Sequence, residues 1–244
     1  MPTDFGSYAR RYDNRKDFDR VLLAYKFDKL AELRPRFGTT LELGCAMGLM
    51  TRLLVPRAHR LDVVDASEEY IRSVRRLLAR VAPRRKGHVR YYASLFQDFQ
   101  PDRRYDTIVL SGVLPALPRP VAFLRRASAW LTRGGVIYIT SHNAYSLHRR
   151  IGKAMGLIRD EHALSQRDVA LFGHRKVYDF DSLQRDVRAA GLGIRAAGGL
   201  FLKPFPNGRM ERLPAEMVAA FGSVGTQLDP RLAAELYVLA GRRR

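Results

Sequence analysis

The segment Leu41-Glu42-Leu43-Gly44-Cys45-Ala46-Met47-Gly48 constrains this chain more than any other. A short apolar run ends in two glycines, and a helical pattern then takes over from Leu49 to Val55. Strand, tight turn and helix in that order put the turn at the carboxyl edge of a sheet, where ligands of open α/β sheets bind. Glycine at 44 and 48 removes the Cβ atoms that would hold a bulky ligand away from the backbone.

The rest of the chain repeats the alternation. Strands are expected at Thr39 to Leu43, Arg60 to Asp65, His88 to Ala93, Tyr105 to Leu110, Val136 to Thr140, Leu192 to Leu202 and Glu235 to Ala240. Helices are expected at Ser67 to Val81, Pro120 to Leu131 and Asp179 to Gly191. The first has Ser67 as N-cap, Glu68 and Glu69 in its positively polarised first turn, and Ile71, Val74 and Leu78 on one face. Thr132-Arg133-Gly134-Gly135 reads as a turn into the fifth strand. Ahead of the sheet, Phe18, Val21, Leu22 and Tyr25 predict an amphipathic helix over 15–33, part of a helical cap over 1–38. Residues 142–178, with four of the six histidines, and residues 207–233 read as helical insertions over the acceptor site, all within a single domain spanning 1–244.

Composition narrows the classes. An apolar share of 46% in 244 residues is enough to bury a full α/β core. The lone Cys45 excludes a disulfide framework and a multi-thiolate metal site. No stretch reaches about 18 consecutive apolar residues, and the start MPTDFGSYARRYDNRK lacks the apolar core of a secretory signal. The expectation is a cytoplasmic protein, monomeric or homodimeric, without a membrane partner. The formal charge of +19 attracts polyanions. Its arginines are scattered in short groups, a pattern that fits a solvated surface at least as well as an RNA-binding face.

In the second strand Asp65 follows Val63-Val64, about 20 residues past Gly44, where a carboxylate can accept two hydrogen bonds from a ribose diol. A nicotinamide-binding fold uses the same plan, but its G-x-G-x-x-G spacing from Gly44 needs glycine where the chain has Ala46 and Leu49. The stretch Glu42 to Gly48 resembles the glycine-rich first motif of the class I S-adenosylmethionine (SAM)-dependent methyltransferases, of the small-molecule type similar to ubiquinone-type and sugar-type O-methyltransferases. That resemblance, running from about residue 39 to the C-terminus, implies an α/β fold: a Rossmann-like seven-stranded, mostly parallel sheet with an antiparallel C-terminal strand, helices on both faces, and helical insertions after strands 5 and 6. It implies that Gly44, Cys45, Ala46 and Gly48 line the methionine part of SAM, that Glu42 orients its amino group, and that Asp65 with Ala66 holds the ribose. Ser94 and Leu95 stand where relatives contact adenine, with serine in place of the usual aspartate; Ser111 closes the fourth strand. Ala46 departs from the family glycine by one methyl group.

On the acceptor side, Pro115-Ala116 occupies the place where many relatives carry an acid–histidine or histidine pair. The expected replacement lies in two segments, His142-Asn143 through His148-Arg149-Arg150, and Gly173-His174-Arg175-Lys176. His174 is the first choice of general base, His148 the second, with His142 near the donor; each histidine has a purely structural alternative. His142 and His148, six apart, do not share a helix face, so no metal is expected. Arg149, Arg150, Arg175, Lys176 and Lys203 suit an anionic acceptor or plain surface charge. Phe5, Tyr8, Tyr12, Phe201 and Phe205 are aromatic candidates to close over a ring.

The expected activity is methyl transfer from SAM to a hydroxyl of a sugar or secondary metabolite, releasing S-adenosylhomocysteine. One rival is an RNA methyltransferase, favoured by charge and disfavoured by the lack of an aromatic-basic recognition motif. Another is a SAM-binding protein with a regulatory or non-methylating role.

Overall fold

Val63-Val64 and Ile108-Val109-Leu110 are buried without alternation, as strands covered on both faces must be. The computed structural model describes residues 13–15 and 17–243, so Phe5, Tyr8 and Tyr12 lie outside the described residues. The strands are β1 (Thr39–Leu43), β2 (Arg60–Asp65), β3 (Val89–Ala93), β4 (Tyr105–Ser111), β5 (Leu131–His142), β6 (Leu192–Leu200) and β7 (Glu235–Arg242). They form a seven-stranded sheet in the order β3-β2-β1-β4-β5-β7-β6, with β7 antiparallel to both neighbours. β1 pairs in parallel with β2 on one side and β4 on the other. The chain order therefore reverses at β1, which opens a crevice beyond its carboxyl end.

The helices are α1 (Asp19–Leu33), α2 (Leu49–Leu54), α3 (Glu68–Val81), α4 (Pro120–Ala129), α5 (Leu147–Ala154), α6 (Gln166–Phe172), α7 (Phe180–Ala189), α8 (Asn207–Met210) and α9 (Ala215–Gly225). Leu30, Met50, Leu54, Ile71 and Val74 from α1, α2 and α3 fill the core on one face. Leu124, Ala127, Leu183 and Val187 from α4 and α7 fill the other. Ser67 caps α3 as the sequence indicates, its Oγ accepting from Tyr70 N at 3.3 Å. Asp62, buried in the middle of β2, accepts from Tyr105 Oη at 2.8 Å and from Arg90 on β3, which locks three strands together.

Three expectations change. Thr132 to Gly135 lie inside β5 as a bulge, because Tyr105 pairs with Leu131 and Thr107 with Val136. The backbones approach so closely that a Cβ on Gly135 would meet Tyr105 O at 2.7 Å. β6 stops at Leu200, since Phe201 adopts φ 66° and turns the chain out of the sheet. The helix expected from residue 15 begins at Asp19.

Phe201 is fully buried against Phe18 and Tyr25, and α9 rests on this turn through two glycines. A Cβ on Gly222 would strike Tyr25 Oη at 2.2 Å, and one on Gly225 would strike Leu202 N at the same distance. Gly225→Ala forces α9 off the body. The expected cost is about 1–3 kcal/mol of stability, read by thermal or urea unfolding, together with faster proteolysis within 211–229; an unchanged midpoint and cleavage rate would refute the close contact.

Candidate functional site

Gly44, with φ 85°, turns the chain out of β1, and its amide still donates to Val64 O at 2.8 Å. A side chain here would collide with Val113 Cγ2 at 2.6 Å, so the turn also seats the end of β4. Gly48 enters α2 with φ 82°. Ala46 shares this left-handed backbone, at φ 44°. Its departure from glycine is therefore more than one methyl of volume, because a Cβ disfavours that conformation by about 1–2 kcal/mol.

Asp65 compensates. Its Oδ2 accepts from Cys45 N at 3.0 Å and Ala46 N at 3.4 Å, and its Oδ1 accepts from Ser67 N at 2.9 Å. Burial pushes its carboxyl up while these amides hold it down. The carboxylate thus binds the turn after β1 to the end of β2. Ala66, beside it, is half-buried, and Ser94 donates its amide to Asp65 O and its hydroxyl to Leu95 O. Ser111 Oγ lies 3.3 Å from Thr140 Oγ1. All of these residues gather at the carboxyl edge of β1, β2 and β4.

Glu42 is the unusual member. It lies in the interior of β1, fully buried, and neither carboxylate oxygen has a hydrogen bond of good geometry among the described residues, the Thr51 hydroxyl being a polar neighbour poorly aligned to donate. Burial pushes its carboxyl up to about 8, Thr51 opposing and the Asp65 charge adding. A buried acid with no partner is costly, and a bound cation relieves that cost. The residues present therefore suit a ligand that carries an ammonium group, as the amino-acid part of SAM does.

At the far side of the crevice the predicted histidines separate in character. His142 ends β5, with Nε2 3.2 Å from Glu235 and Nδ1 4.0 Å from Asp168. Although 35% of its side chain is exposed, the surrounding protein pushes its pKa down, against Glu235, which raises it. His148, on α5, has a buried Nδ1 without a hydrogen bond among the described residues. Burial, then the Lys203 and Arg149 charges, push its pKa down to about 3, which makes it neutral and a poor base. His174 is buried, with Nδ1 3.4 Å from Asp168 Oδ1 and its ring edge-on to His142 at 5.8 Å. The next residue donates its amide to Pro115 O at 2.9 Å, which pins His174 beside the loop that leaves β4. Asn143 is spent on structure: its Nδ2 donates to three carbonyls between Pro230 and Ala233.

Sequence reasoning missed Asp168, Glu235 and Lys26. Asp168 closes a capping box with Ser165, and although burial raises its carboxyl, bonds from His174 and Ser165 hold it well below the usual range. Glu235 is buried between His142 and Lys26, whose Nζ is 3.1 Å away. The Ser165-x-x-Asp168 pattern and an acid opening an apolar strand were the available signals. His142, Asp168 and His174 present ligand atoms within 4.8 Å of one another, a grouping that can hold a metal ion. Of the predicted anion-binding cations, Arg149 instead holds Glu161 O and Ala163 O, and Lys176 pairs with Asp186. Lys203 is buried and forms no hydrogen bond or ion pair with a described residue.

Comparison with known proteins accords with this geometry. The methyltransferase-domain family profile matches residues 14–197. The N-terminal Xaa-Pro-Lys N-methyltransferase 1 of Danio rerio is 34% identical over 112 residues, 44% of this chain and 49% of the relative, so the chain spans about half that protein's length. The ubiquinone biosynthesis O-methyltransferase of Idiomarina loihiensis is 26% identical over 165 residues, 67% of this chain and 65% of the relative. Among solved structures, N-methyltransferase NodS of Bradyrhizobium japonicum with S-adenosyl-L-homocysteine superposes with TM-score 0.55 at 15% identity, over 99% of this chain and 90% of that one. A DhpI–SAM–HEP complex gives TM-score 0.62 at 18% identity, over 96% and 92%. With its seven-stranded sheet, reversed strand order and glycine turn, the chain belongs to the methyltransferase-domain family, among the class I SAM-dependent methyltransferases.

Proposed function

We propose that the protein transfers a methyl group from SAM to a hydroxyl of a small-molecule acceptor and releases S-adenosylhomocysteine. The unpartnered carboxylate of Glu42 carries the donor half of this reading, because it suits the amino group of the donor. Asp65 takes the ribose, the backbone of Gly44 to Gly48 takes the methionine chain, and Ser94-Leu95 borders the adenine. Bound SAM supplies an electrophilic methyl group on sulfur, so the protein's task is to align a nucleophile and strip its proton.

His174 serves as the base. Asp168, 3.4 Å from Nδ1, fixes the ring orientation and stabilises the imidazolium formed when the opposite nitrogen takes the acceptor proton. The same carboxylate faces His142, which Glu235 and Lys26 hold from behind. A second reading, methylation of a peptide amine, is favoured by the likeness to N-terminal protein methyltransferases. Mass spectrometry of the product from a mixed panel of hydroxyl and amine acceptors separates the two.

Three outcomes are expected. Glu42 is largely protonated near pH 7 before binding, so capture of an ammonium expels a proton. Calorimetry in buffers of different ionisation enthalpy should show proton release, with affinity rising from pH 6 toward 8; Glu42→Gln should abolish the release, and a wild-type protein that releases none would remove Glu42 from the donor site. Asp65→Ala should weaken S-adenosylhomocysteine binding at least tenfold, each lost charge-assisted bond being worth about 1.5–3 kcal/mol. His174→Ala should lower turnover at least tenfold and leave donor affinity nearly intact, with Asp168→Asn following it; unchanged turnover in His174→Ala strikes this residue from the mechanism.

A further inference from the structure

Exposed apolar surface is concentrated on this molecule. Of the ten large apolar side chains that stand exposed among the described residues, nine lie in the two segments joining β5 to α7 and β6 to β7. Leu157 at 71%, Met155 at 67%, Val169 at 52% and Met217 at 46% lead them. α5 buries none of its residues. α9 carries a single charged residue, Glu216, and meets the body through Gly222, Gly225, Val218 and Phe221, leaving Met217 and Val224 exposed. A helix of that composition is ordinarily covered. The two segments stand side by side, because Arg167 of α6 and Asn207 of α8 both bond Asp17 and Asp19.

The same segments carry Arg150, Arg159, Arg175, Arg209 and Arg212, all exposed and none in an ion pair with a described residue. Neighbouring Arg149 and Lys153 are held within the fold by Glu161 and its surroundings. A partner complementary to these segments is both apolar and anionic.

We propose that this face docks on an anionic lipid bilayer. Apolar side chains enter the headgroup layer while guanidinium groups bind lipid phosphates, and the net charge of +19 draws the protein to such a surface. A second copy of the chain is the poorer cover, since a two-fold contact sets the same arginines against each other. No described helix is long and apolar enough to cross a membrane, and docking in the headgroup layer needs none. The proposal departs from the expectation of no membrane partner. The face lies on the carboxyl edge of the sheet, as His174 does, so the acceptor reaches the site from the lipid side. This last step rests on the methyl-transfer reading; the docking itself does not.

The test is flotation of the full chain with vesicles of phosphatidylcholine alone or mixed equally with phosphatidylglycerol. Partition onto mixed vesicles should exceed that onto neutral ones at least tenfold and fall as salt rises. The double variant Leu157→Glu, Met217→Glu should lose at least tenfold in partition while keeping S-adenosylhomocysteine affinity by calorimetry, and Val81→Glu should change neither. Equal partition onto both vesicles, or full partition by the double variant, overturns the proposal. So does a dimer in light scattering that the double variant dissolves, or polyglutamate binding as tight as vesicle binding, which would assign the face to a protein. Failed docking with donor binding intact leaves the methyl-transfer reading standing, and lost donor binding with docking intact does the reverse.

Discussion

One carboxylate holds the glycine-turn side of the crevice in shape. Asp65 reaches from the end of β2 to the amides of Cys45 and Ala46, and with its other oxygen it meets Ser67 at the start of α3. Without that tie, a turn with left-handed backbone at Gly44, Ala46 and Gly48 has little to hold it, since one of the three carries a Cβ. The tie in turn fixes where α2 and α3 begin. It also fixes how close Val113 comes to Gly44, and hence the mouth between β1 and β4. The carboxylate proposed for the ribose thus also holds the turn beside it.

The histidine side of the crevice is organised by alternating charge. Lys26, Glu235, His142, Asp168 and His174 follow one another from α1 across the sheet edge to the segment after β5, with successive separations of 3.1, 3.2, 4.0 and 3.4 Å. Each buried acid faces a group able to carry positive charge, which is how ionisable residues persist in a poorly solvated place. The arrangement also sorts the histidines. His174 faces a carboxylate directly, whereas His148 faces Lys203 and Arg149 and stays neutral.

The parallel core was legible because each strand is a short apolar run bounded by turn residues, and because the turn after β1 leaves so little choice of fold. Ser67 and the two acids after it marked the start of α3 for the same local reason. The bulge at Thr132 to Gly135 was not legible: two adjacent glycines signal a turn, and only the pairing with β4 shows them inside a strand. Phe201 was unreadable as the end of β6, since nothing local asks a bulky residue to adopt a positive φ. At the site, glycine spacing and Asp65 marked the turn after β1 and the crevice beside it. Asp168 and Glu235 escaped because both meet at His142, which lies 26 residues before one and 93 before the other, a convergence that no periodicity encodes.

Asp17 and Asp19 precede and open α1, and both accept from Arg167 and from Asn207. Two stretches of chain that fold separately over the sheet edge are thereby latched to a common pair of acids. Removal of either acid therefore loosens both stretches at once, so the two segments share one anchor at the start of α1 although some 40 residues separate Arg167 from Asn207 in the chain.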